Sequence, residues 1–487
     1  MTGMRRTEPE RPSQPNQPAE TSSQIAQVSN PEPQFPPRDY VGQQPKLIDR
    51  VVNLVDPAGN ILLGVTADQA AKAVREGDLD AVRKIGGQFA ICQVAGKTIR
   101  MARSIGRPMR YFLAKRAEGP ALIVAERIDQ IADALADEGL ADQFDPRYTR
   151  MVPAHHVLEL QLVGCPDPNP TLRRYFAPQR NRLPADIDEI GRRYIGKLAE
   201  VIDAYIETVD PAEPIGVAFS GGIDSGSVLI VLDYLIRRRG MSPSRIKAFT
   251  LSITDPASPD QVSPDVAQAR EFLKSIDREM YLETVEVPIE AVDWRAAVAT
   301  MEDYKPLDVQ SATMGLALLR ELRRRYPDWT HLIDGDGGDE NLKDYPIEDN
   351  PELTIRSVLG NRMLYQEGWG VDAVKHSLTY SGGQSRGHSR TSAPAAMLGF
   401  RGFSPYAVPD VIEVAEAVPF VQLTDWDHHR LYDLKGAIVR AGVAAVTGVQ
   451  MPVYEKRRFQ HGAADSTTFD NIFPSDPTEY RQYFESK

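Results

Sequence analysis

The stretch that decides the fold reads Val217-Ala218-Phe219-Ser220-Gly221-Gly222-Ile223-Asp224-Ser225. It begins inside a short apolar, partly β-branched run, 215–219, which predicts a buried parallel strand. Gly221 and Gly222 follow at once, and the mostly apolar run 226–236 has the length of a helix. A strand, a glycine turn and a helix N-terminus form an anion site, because the glycines admit a close backbone approach and the first helical N–H groups lack partners.

Three side chains indicate which kind of anion this site would bind. Ser220 and Ser225 add hydroxyl donors, whereas the carboxylate of Asp224 would repel a bare phosphate. A carboxylate here is explained if Mg²⁺ lies between it and the phosphate oxygens. The stretch also lacks the Gly-Lys-Ser/Thr ending of a P-loop, which disfavours transfer of a γ-phosphate. We therefore interpret it as a Mg-pyrophosphate site, with an ordinary strand–turn–helix as the alternative.

Residues 220–225 resemble the pyrophosphate loop of ATP pyrophosphatases, enzymes that cut ATP between its α and β phosphates. A second stretch, 334–340, reads Asp-Gly-Asp-Gly-Gly-Asp-Glu and resembles the Ser-Gly-Glu-Gly-Ser-Asp-Glu loop of asparagine synthetases. It follows an apolar run, so both loops are expected at strand ends in one α/β domain. Asp224 and Asp339 are then predicted to hold Mg²⁺ together; the alternative for 334–340 is a solvated acidic turn.

The resemblance to asparagine synthetases runs over residues 187–462 and implies further roles by position. Asp336 takes the place of a catalytic glutamate. The segment 453–462 resembles the family's Lys-x-x-Phe-x-x-Gly, so Lys456 would contact the α-phosphate and stabilise the transition state of amide formation; a basic surface turn is the alternative. The residues implied to bind ATP and its pyrophosphate are Ala218, Ser220, Gly221, Gly222, Asp224, Ser225, Leu251 and Gly335.

One segment departs from the family. Residues 399–405 correspond to Gly-x-Glu-x-Arg-x-Pro, and Arg401 stands where the glutamate is expected. In the β-lactam-forming relatives that glutamate works as a base with a tyrosine of the acidic loop, so the dyad is absent here. Just before this segment, residues 384–396 are rich in Ser, Gly and Arg, which predicts an active-site loop or a linker.

The first half of the chain carries a second resemblance. Several pieces of residues 45–180, among them Gly87-Gln88-Phe89-Ala90 and Ala102-Arg103, are similar to the second half of the glutaminase domain of class II amidotransferases, an N-terminal-nucleophile (Ntn) α+β sandwich. Those enzymes use a cysteine directly after the initiator methionine, but here Met1 is followed by Thr2. Cys92 lies in a predicted strand and Cys165 in a loop. The resemblance therefore implies a degenerate domain, retained as a scaffold without glutaminase activity. Within it, residues 50–65 predict a β-hairpin.

The composition limits the possible binding partners, metal sites and cellular location of the protein. The 487 residues are 42% hydrophobic and 25% charged, as in globular proteins, and the net charge of −12 argues against general binding of nucleic acid or anionic membranes. Two cysteines in no CxxC disfavour structural zinc and iron–sulfur clusters, and the absence of a long apolar run or a secretory signal predicts a cytoplasmic protein. Residues 1–44 are predicted to be a disordered leader and 463–487 a C-terminal tail.

The sequence thus predicts an α/β fold, with a degenerate Ntn-type sandwich at 45–180 and a doubly wound parallel-sheet ATP-pyrophosphatase domain at 187–462. The expected activity is an ATP- and Mg²⁺-dependent amide ligase that activates a small carboxylate as an acyl-adenylate and takes nitrogen from ammonia or an amine, either as a monomer or as a homodimer. The alternatives are another pyrophosphate-loop ligase or thiolation enzyme, an intramolecular amide- or lactam-forming cyclase, and a catalytically inactive nucleotide-binding relative.

Overall fold

The computed structural model describes residues 48, 50–116, 118–163, 169–256, 263–344, 354–360, 386–454 and 466–486, all within one compact unit, residues 45–487. The leader at 1–44, Cys165 and Lys456 lie outside the described residues. No described helix combines the length and the apolar composition needed to cross a membrane.

The strands are β1 Arg50–Asn53, β2 Ile61–Leu63, β3 Gly86–Gln88, β4 Ala90–Ala95, β5 Thr98–Arg103, β6 Arg110–Ala114, β7 Ala121–Ala125, β8 Arg150–Met151, β9 His156–Gln161, β10 Thr171–Arg174, β11 Ile215–Ala218, β12 Ile246–Thr254, β13 Leu282–Pro288, β14 His331–Ile333 and β15 Arg401–Phe403. The α-helices are α1 Ala67–Glu76, α2 Leu79–Arg83, α3 Ile128–Asp137, α4 Ile187–Glu207, α5 Ile223–Arg238, α6 Pro264–Ser275, α7 Trp294–Met301, α8 Pro306–Arg325, α9 Gly338–Leu342, α10 Ile355–Gly360, α11 Arg386–Met397, α12 Pro409–Glu416, α13 Phe420–Thr424, α14 Arg430–Thr447, α15 Ser466–Ile472 and α16 Thr478–Glu485.

The first half of the chain is a sandwich of two four-stranded sheets, with strand orders β1-β7-β6-β8 and β10-β9-β5-β4. Apolar side chains from both sheets, such as Met101 on β5 and Val124 on β7, meet in one buried core. The hairpin predicted at 50–65 is wrong: β1 pairs parallel with β7, and β2 pairs antiparallel with β3. A short 3₁₀ turn at Pro57–Gly59 separates β1 from β2, so the two strands enter different sheets.

The second half is built on a five-stranded parallel sheet with the order β13-β12-β11-β14-β15. Helices cover both faces of this sheet, one face around the core of α4, α5 and α14 and the other around α7 and α8. This is the doubly wound α/β fold that the sequence predicts. From β11 the chain moves outward through β12 to β13 and then crosses back to β14 on the other side of β11, so β11 and β14 flank the switch point, where ligands bind at the carboxyl ends of the strands.

The prediction of a loop at 384–396 is wrong over its described part, where α11 spans Arg386–Met397. Ala395 is fully buried in the core beside α7 and α8, and the guanidinium of Arg323 on α8 donates to the carbonyl of Leu398 at 2.9 Å. The burial of this short segment against α8 explains why a composition typical of a linker forms a helix.

The two halves exchange helix-capping groups. Arg127, just before α3, donates to the carbonyls of Ala299 and Thr300 at the end of α7, at 3.0 and 2.8 Å. In return the carboxylate of Glu302, just after α7, accepts from the backbone N–H of Ile128 at the start of α3, at 2.6 Å. Each helix end therefore supplies the partner that the other end lacks, which holds the sandwich against the parallel-sheet half.

Helices α4 and α14 lie in contact at a pair of glycines. A methyl group on Gly191 would stand 2.7 Å from the backbone nitrogen of Gly442, and one on Gly442 would stand 2.7 Å from the carbonyl carbon of Gly191. Backbone thus packs directly on backbone at this crossing. The crossing fixes the position of α14, which carries a residue of the candidate site.

We expect Gly442→Ala to lower the free energy of unfolding by about 1–3 kcal/mol, because the added methyl forces the two backbones apart. The matched control is Gly196→Ala on α4, where the added methyl has no heavy atom within 4 Å; this change should raise stability by about 0.5–1 kcal/mol through helix propensity. Urea unfolding of both variants measures the difference. If Gly442→Ala and Gly196→Ala changed the free energy of unfolding equally, direct packing of the α4 and α14 backbones would be contradicted.

Candidate active site

The loop after β11 is shaped by glycine and by a neighbouring helix. Gly221 has φ of +72°, and a methyl group on it would lie 3.0 Å from the backbone of Ala269 on α6. Gly222 is the N-cap of α5 and offers no side-chain capping bond. The first N–H groups of α5 therefore depend on groups outside the helix, and the dipole of this 16-residue helix favours an anion at that point.

Two hydroxyl groups lie at the same place. The backbone N–H of Ser220 donates to Oγ of Ser225 at 3.3 Å, and the two Oγ atoms are also 3.3 Å apart. The N–H of Gly222 donates to Oγ of Ser220 at 3.3 Å. The loop thus brings together hydroxyls and backbone N–H groups, which are the donors that phosphate oxygens accept from.

The acidic loop after β14 lies against this first loop. A methyl group on Gly335 would stand 2.7 Å from the backbone nitrogen of Ser225, and one on Gly338 would clash with the carboxylate of Asp224. Because β11 and β14 pair in parallel, their carboxyl ends lie side by side and the two loops meet. The glycines of the acidic loop therefore allow its backbone to approach the pyrophosphate loop.

The ammonium of Lys435, on α14, lies where the two loops meet. Its Nζ is 2.6 Å from Oδ2 of Asp224, is in direct contact with Oδ1 of Asp339, and is 3.5 Å from Oδ2 of Asp344. The side chain of Lys435 is only 2% exposed. Three carboxylates, each at least 91 residues from Lys435 in the sequence, therefore converge on one buried cation.

Electrostatics favour the charged form of this lysine. Burial alone would lower the pKa of Lys435, but the attraction of Asp224, Asp339 and Asp344 outweighs burial and raises the pKa well above its ordinary value. With all four groups ionised, the cluster carries a net charge of −2. Carboxylate oxygens are the ligands that Mg²⁺ prefers. The donor set and the charge both fit a divalent cation bound at Asp224 and Asp339.

Tyr406 links the two helices that carry Asp224 and Asp339. Its hydroxyl is 2.6 Å from Oγ of Ser227, which in turn donates to the carbonyl of Asp224 at 2.8 Å. The ring of Tyr406 stacks on that of Tyr194, with centroids 5.6 Å apart. Asn341 on α9 donates to the carbonyl of Tyr406 at 2.9 Å. These contacts fix the start of α5 relative to α9, and hence Asp224 relative to Asp339.

Asp334 begins the acidic loop as a buried carboxyl group. Burial raises its pKa to about 7, although the nearby hydroxyl of Ser404 and a hydrogen bond from the backbone N–H of Asp336 act in the opposite direction. The bond from Asp336 is 3.0 Å long and shapes the turn toward that residue, which is half-buried. Asp334 therefore organises the loop and changes its charge near neutral pH.

The structure brings most of the predicted site residues together. Ala218 ends β11, directly before the loop that carries Ser220 and Ser225. Leu251, on β12, is buried in the core of the opposite face, packed with Val285, so its contact with adenine stays a prediction. Lys456 lies outside the described residues.

Arg401 contacts the sandwich. It begins β15, opposite His331, and its guanidinium donates to the carbonyl of Asn60 in the sandwich at 3.1 Å. His331 is two residues before the end of β14, about 7 Å at the usual rise of a strand. The basic residue that replaces the family's glutamate therefore binds the sandwich.

Two residues of the site, Lys435 and Asp344, were missed by the sequence analysis. Lys435 lies on the buried face of α14, together with Leu431, Leu434 and Ile438. A lysine on an apolar helix face is a usable signal, because lysine is almost never fully buried without a partner. Asp344 carries no such signal, because an acidic residue that follows an acidic loop is expected to be exposed to solvent.

We expect Asp334→Asn to change the pH dependence of stability. The folded state holds the Asp334 proton up to about pH 7, whereas the unfolded chain releases it near pH 4, so wild-type stability should fall as pH rises from 4 to 7. The loss is at most about 4 kcal/mol, at about 1.4 kcal/mol per pKa unit. Asparagine keeps an oxygen for the N–H of Asp336 and has no proton to lose.

Denaturant unfolding between pH 4.5 and 8 measures this effect. The wild type should lose stability relative to Asp334→Asn across that range, while Asp433→Asn, an exposed change on α14, keeps the wild-type profile. If the free energy of unfolding of the wild type and of Asp334→Asn changed with pH in parallel, the raised pKa of Asp334 would be contradicted.

A comparison with known protein families points to the same part of the chain as the geometry of the two loops. The family model described as asparagine synthase matches residues 199–421, a span that contains β11, β14 and both loops. No curated protein matches the chain. The matched span includes Asp224, Asp339 and Asp344 and ends before Lys435. The second half of the chain therefore carries an asparagine synthase domain, at residues 199–421.

Proposed function

We propose that this protein is an amide ligase that activates a small carboxylic acid as an acyl-adenylate, with ammonia or a substrate amine as the nitrogen donor. The observation that carries the proposal is the convergence of Asp224 and Asp339 on the ammonium of Lys435, beside the N-terminus of α5. An ATP-cleaving site needs a cation-binding pair of carboxylates and a cradle for the leaving pyrophosphate, and the position of the two carboxylates beside a helix N-terminus at the switch point of the sheet supports such a site.

The first step joins the acid to AMP. An oxygen of the substrate carboxylate attacks the α-phosphorus of ATP, a new P–O bond forms, and the bond to the β-phosphate breaks to release pyrophosphate. The backbone N–H groups at the start of α5 and the hydroxyls of Ser220 and Ser225 would hold the departing pyrophosphate. When bound at Asp224 and Asp339, Mg²⁺ would stabilise the charge that develops there. Lys435 would add a fixed positive charge at the same end.

The second step forms the amide. The nitrogen attacks the acyl carbon, a C–N bond forms, the C–O bond to AMP breaks, and the nitrogen loses a proton. We assign acceptance of that proton to Asp336, the half-buried carboxylate of the acidic loop. Lys456 is proposed to stabilise the charge on the phosphate of the leaving AMP.

One feature of the sandwich supports a nitrogen source other than glutamine. Burial raises the pKa of the Cys92 thiol to about 12, so this cysteine stays protonated at neutral pH and is a poor nucleophile. A scaffold role for the sandwich accounts for this.

The position of Arg401 favours an intermolecular reaction over a cyclase. The base dyad of the β-lactam-forming relatives needs a residue from this segment next to the acidic loop. Here Arg401 instead binds the carbonyl of Asn60 in the sandwich. The intramolecular cyclase is therefore the second candidate, and the same assay distinguishes it.

The test is pyrophosphate release from ATP and Mg²⁺ across a panel of carboxylic acids, with ammonia, amines or glutamine as nitrogen source. We expect release with one class of acid, accompanied by AMP and an amide when ammonia or an amine is present. Release by an acid that carries its own amine, without added nitrogen, would favour the cyclase. Use of glutamine as readily as ammonia would overturn the scaffold role, and no release with any acid would overturn the ligase.

We expect Asp224→Asn and Lys435→Gln each to lower pyrophosphate release at least 100-fold. The first removes a carboxylate that would hold Mg²⁺, and the second removes a positive charge that would stabilise the leaving pyrophosphate. Asp433→Asn, an exposed change two residues before Lys435 on the same helix, is the matched control and should keep wild-type turnover. Circular dichroism checks that the variants fold. Full turnover in both site variants would show that the chemistry occurs elsewhere.

A further inference from the structure

The three carboxylates around Lys435 differ in their access to solvent. The side chains of Asp224 and Asp339 are 20% and 35% exposed, whereas that of Asp344 is 6% exposed. A cation that enters from solvent therefore meets Asp224 and Asp339 first. Asp344 is the most buried of the three carboxylates that contact the ammonium.

The contact between Lys435 and Asp344 is also longer than the other two. It measures 3.5 Å, against 2.6 Å for the contact with Asp224, while a good ion-pair hydrogen bond is about 2.8 Å. The ammonium thus lies nearer to the exposed pair, where it competes with a metal for the same oxygens. A movement of about 0.7 Å along the line of contact would turn the Asp344 contact into a full hydrogen bond.

Asp344 is held firmly in this place. Its backbone N–H bonds to the carbonyl of Asp339 at 3.1 Å. The preceding residue, Lys343, has φ of +60° and closes α9, and its fully buried ammonium contacts the carboxylate of Glu416, which also accepts from Nε of Arg180 at 2.8 Å. Asp344 is therefore anchored to α12 through its neighbour Lys343.

We infer that Asp344 is a positioning residue that receives the ammonium of Lys435 when a divalent cation binds to Asp224 and Asp339. The charges support this: three carboxylates balance one divalent cation and one ammonium, whereas two carboxylates would leave a net positive charge in a buried site. Without Asp344, the cation and the ammonium would compete for one pair of oxygens. With Asp344 present, the cation and the ammonium are both held in the site, and Lys435 stays available to the pyrophosphate. This role rests on the proposed function, because it assumes that the metal site of the ligase is the Asp224–Asp339 pair.

The experiment is a titration of the full-length protein with Mn²⁺ alone, followed by electron paramagnetic resonance of the free ion. Mn²⁺ replaces Mg²⁺ as the probe because both prefer oxygen ligands. We expect Asp344→Asn to weaken Mn²⁺ binding about 10–100-fold, the usual range for a residue that orients a metal site from outside the ligand shell. Asp433→Asn should bind Mn²⁺ as the wild type does.

A double-mutant cycle separates positioning from direct ligation. Lys435→Gln removes the competing ammonium and should bind Mn²⁺ more tightly than the wild type, and adding Asp344→Asn to it should then change the affinity by less than about threefold. An equal loss in both backgrounds would make Asp344 a metal ligand and overturn the inference. Unchanged binding by Asp344→Asn in the wild-type background would overturn it as well. Lys435→Met serves in the cycle if Lys435→Gln does not fold.

The Mn²⁺ titration is independent of turnover. If the wild type binds Mn²⁺ and the cycle behaves as expected while no acid gives pyrophosphate release, the ligase activity fails and the role of Asp344 stands. If pyrophosphate is released but the cycle shows no coupling between Asp344 and Lys435, the ligase stands and the inference fails.

Discussion

The buried ammonium of Lys435 is the interaction on which the candidate site depends. It joins Asp224 on α5, Asp339 on α9 and Asp344 just after α9, and it does so from α14, a helix far along the chain. Breaking one partner of a buried ion pair leaves an uncompensated charge, which is far more costly than loss of a surface pair. The cluster therefore couples the local geometry of the loops to the packing of the whole second half, including the glycine crossing between α4 and α14.

The topology of the sheet explains why these residues meet. β11 and β14 are neighbours in space but are separated by two other strands of the sheet in the sequence, and the chain reverses direction between them. Loops that follow such a pair open into the same crevice. Glycine at 335 and 338 lets the second loop come within contact of the first, and Tyr406 holds the helices behind them. The fold brings the carboxylates together, and Lys435 offsets part of their mutual repulsion.

The sequence predicted the parts of this arrangement that depend on local pattern. The strand, glycine turn and helix around Ser220, and the acidic loop after β14, are visible because each places unusual residues at the end of an apolar run. Lys435 was missed because its role depends on which helix face packs against the loops, and a sequence pattern does not specify that partner. The same limit explains the hairpin and the segment at 386–397: strand partners and helix burial are set by contacts between residues distant in sequence.

The contacts between the two halves give the sandwich a structural role in the second half of the chain. Glu302 is almost fully buried between Arg110 and Arg127, and it also accepts from the start of α3. Burial raises the pKa of Glu302, while the two arginines lower it, so the carboxylate depends on the sandwich for its charge partners. Removing the sandwich would expose the end of α7 and the chain that leads into α8, a helix that packs beneath the parallel sheet. The sandwich thus supports the half of the chain that carries the candidate site, through charge partners and helix caps that this half does not supply for itself.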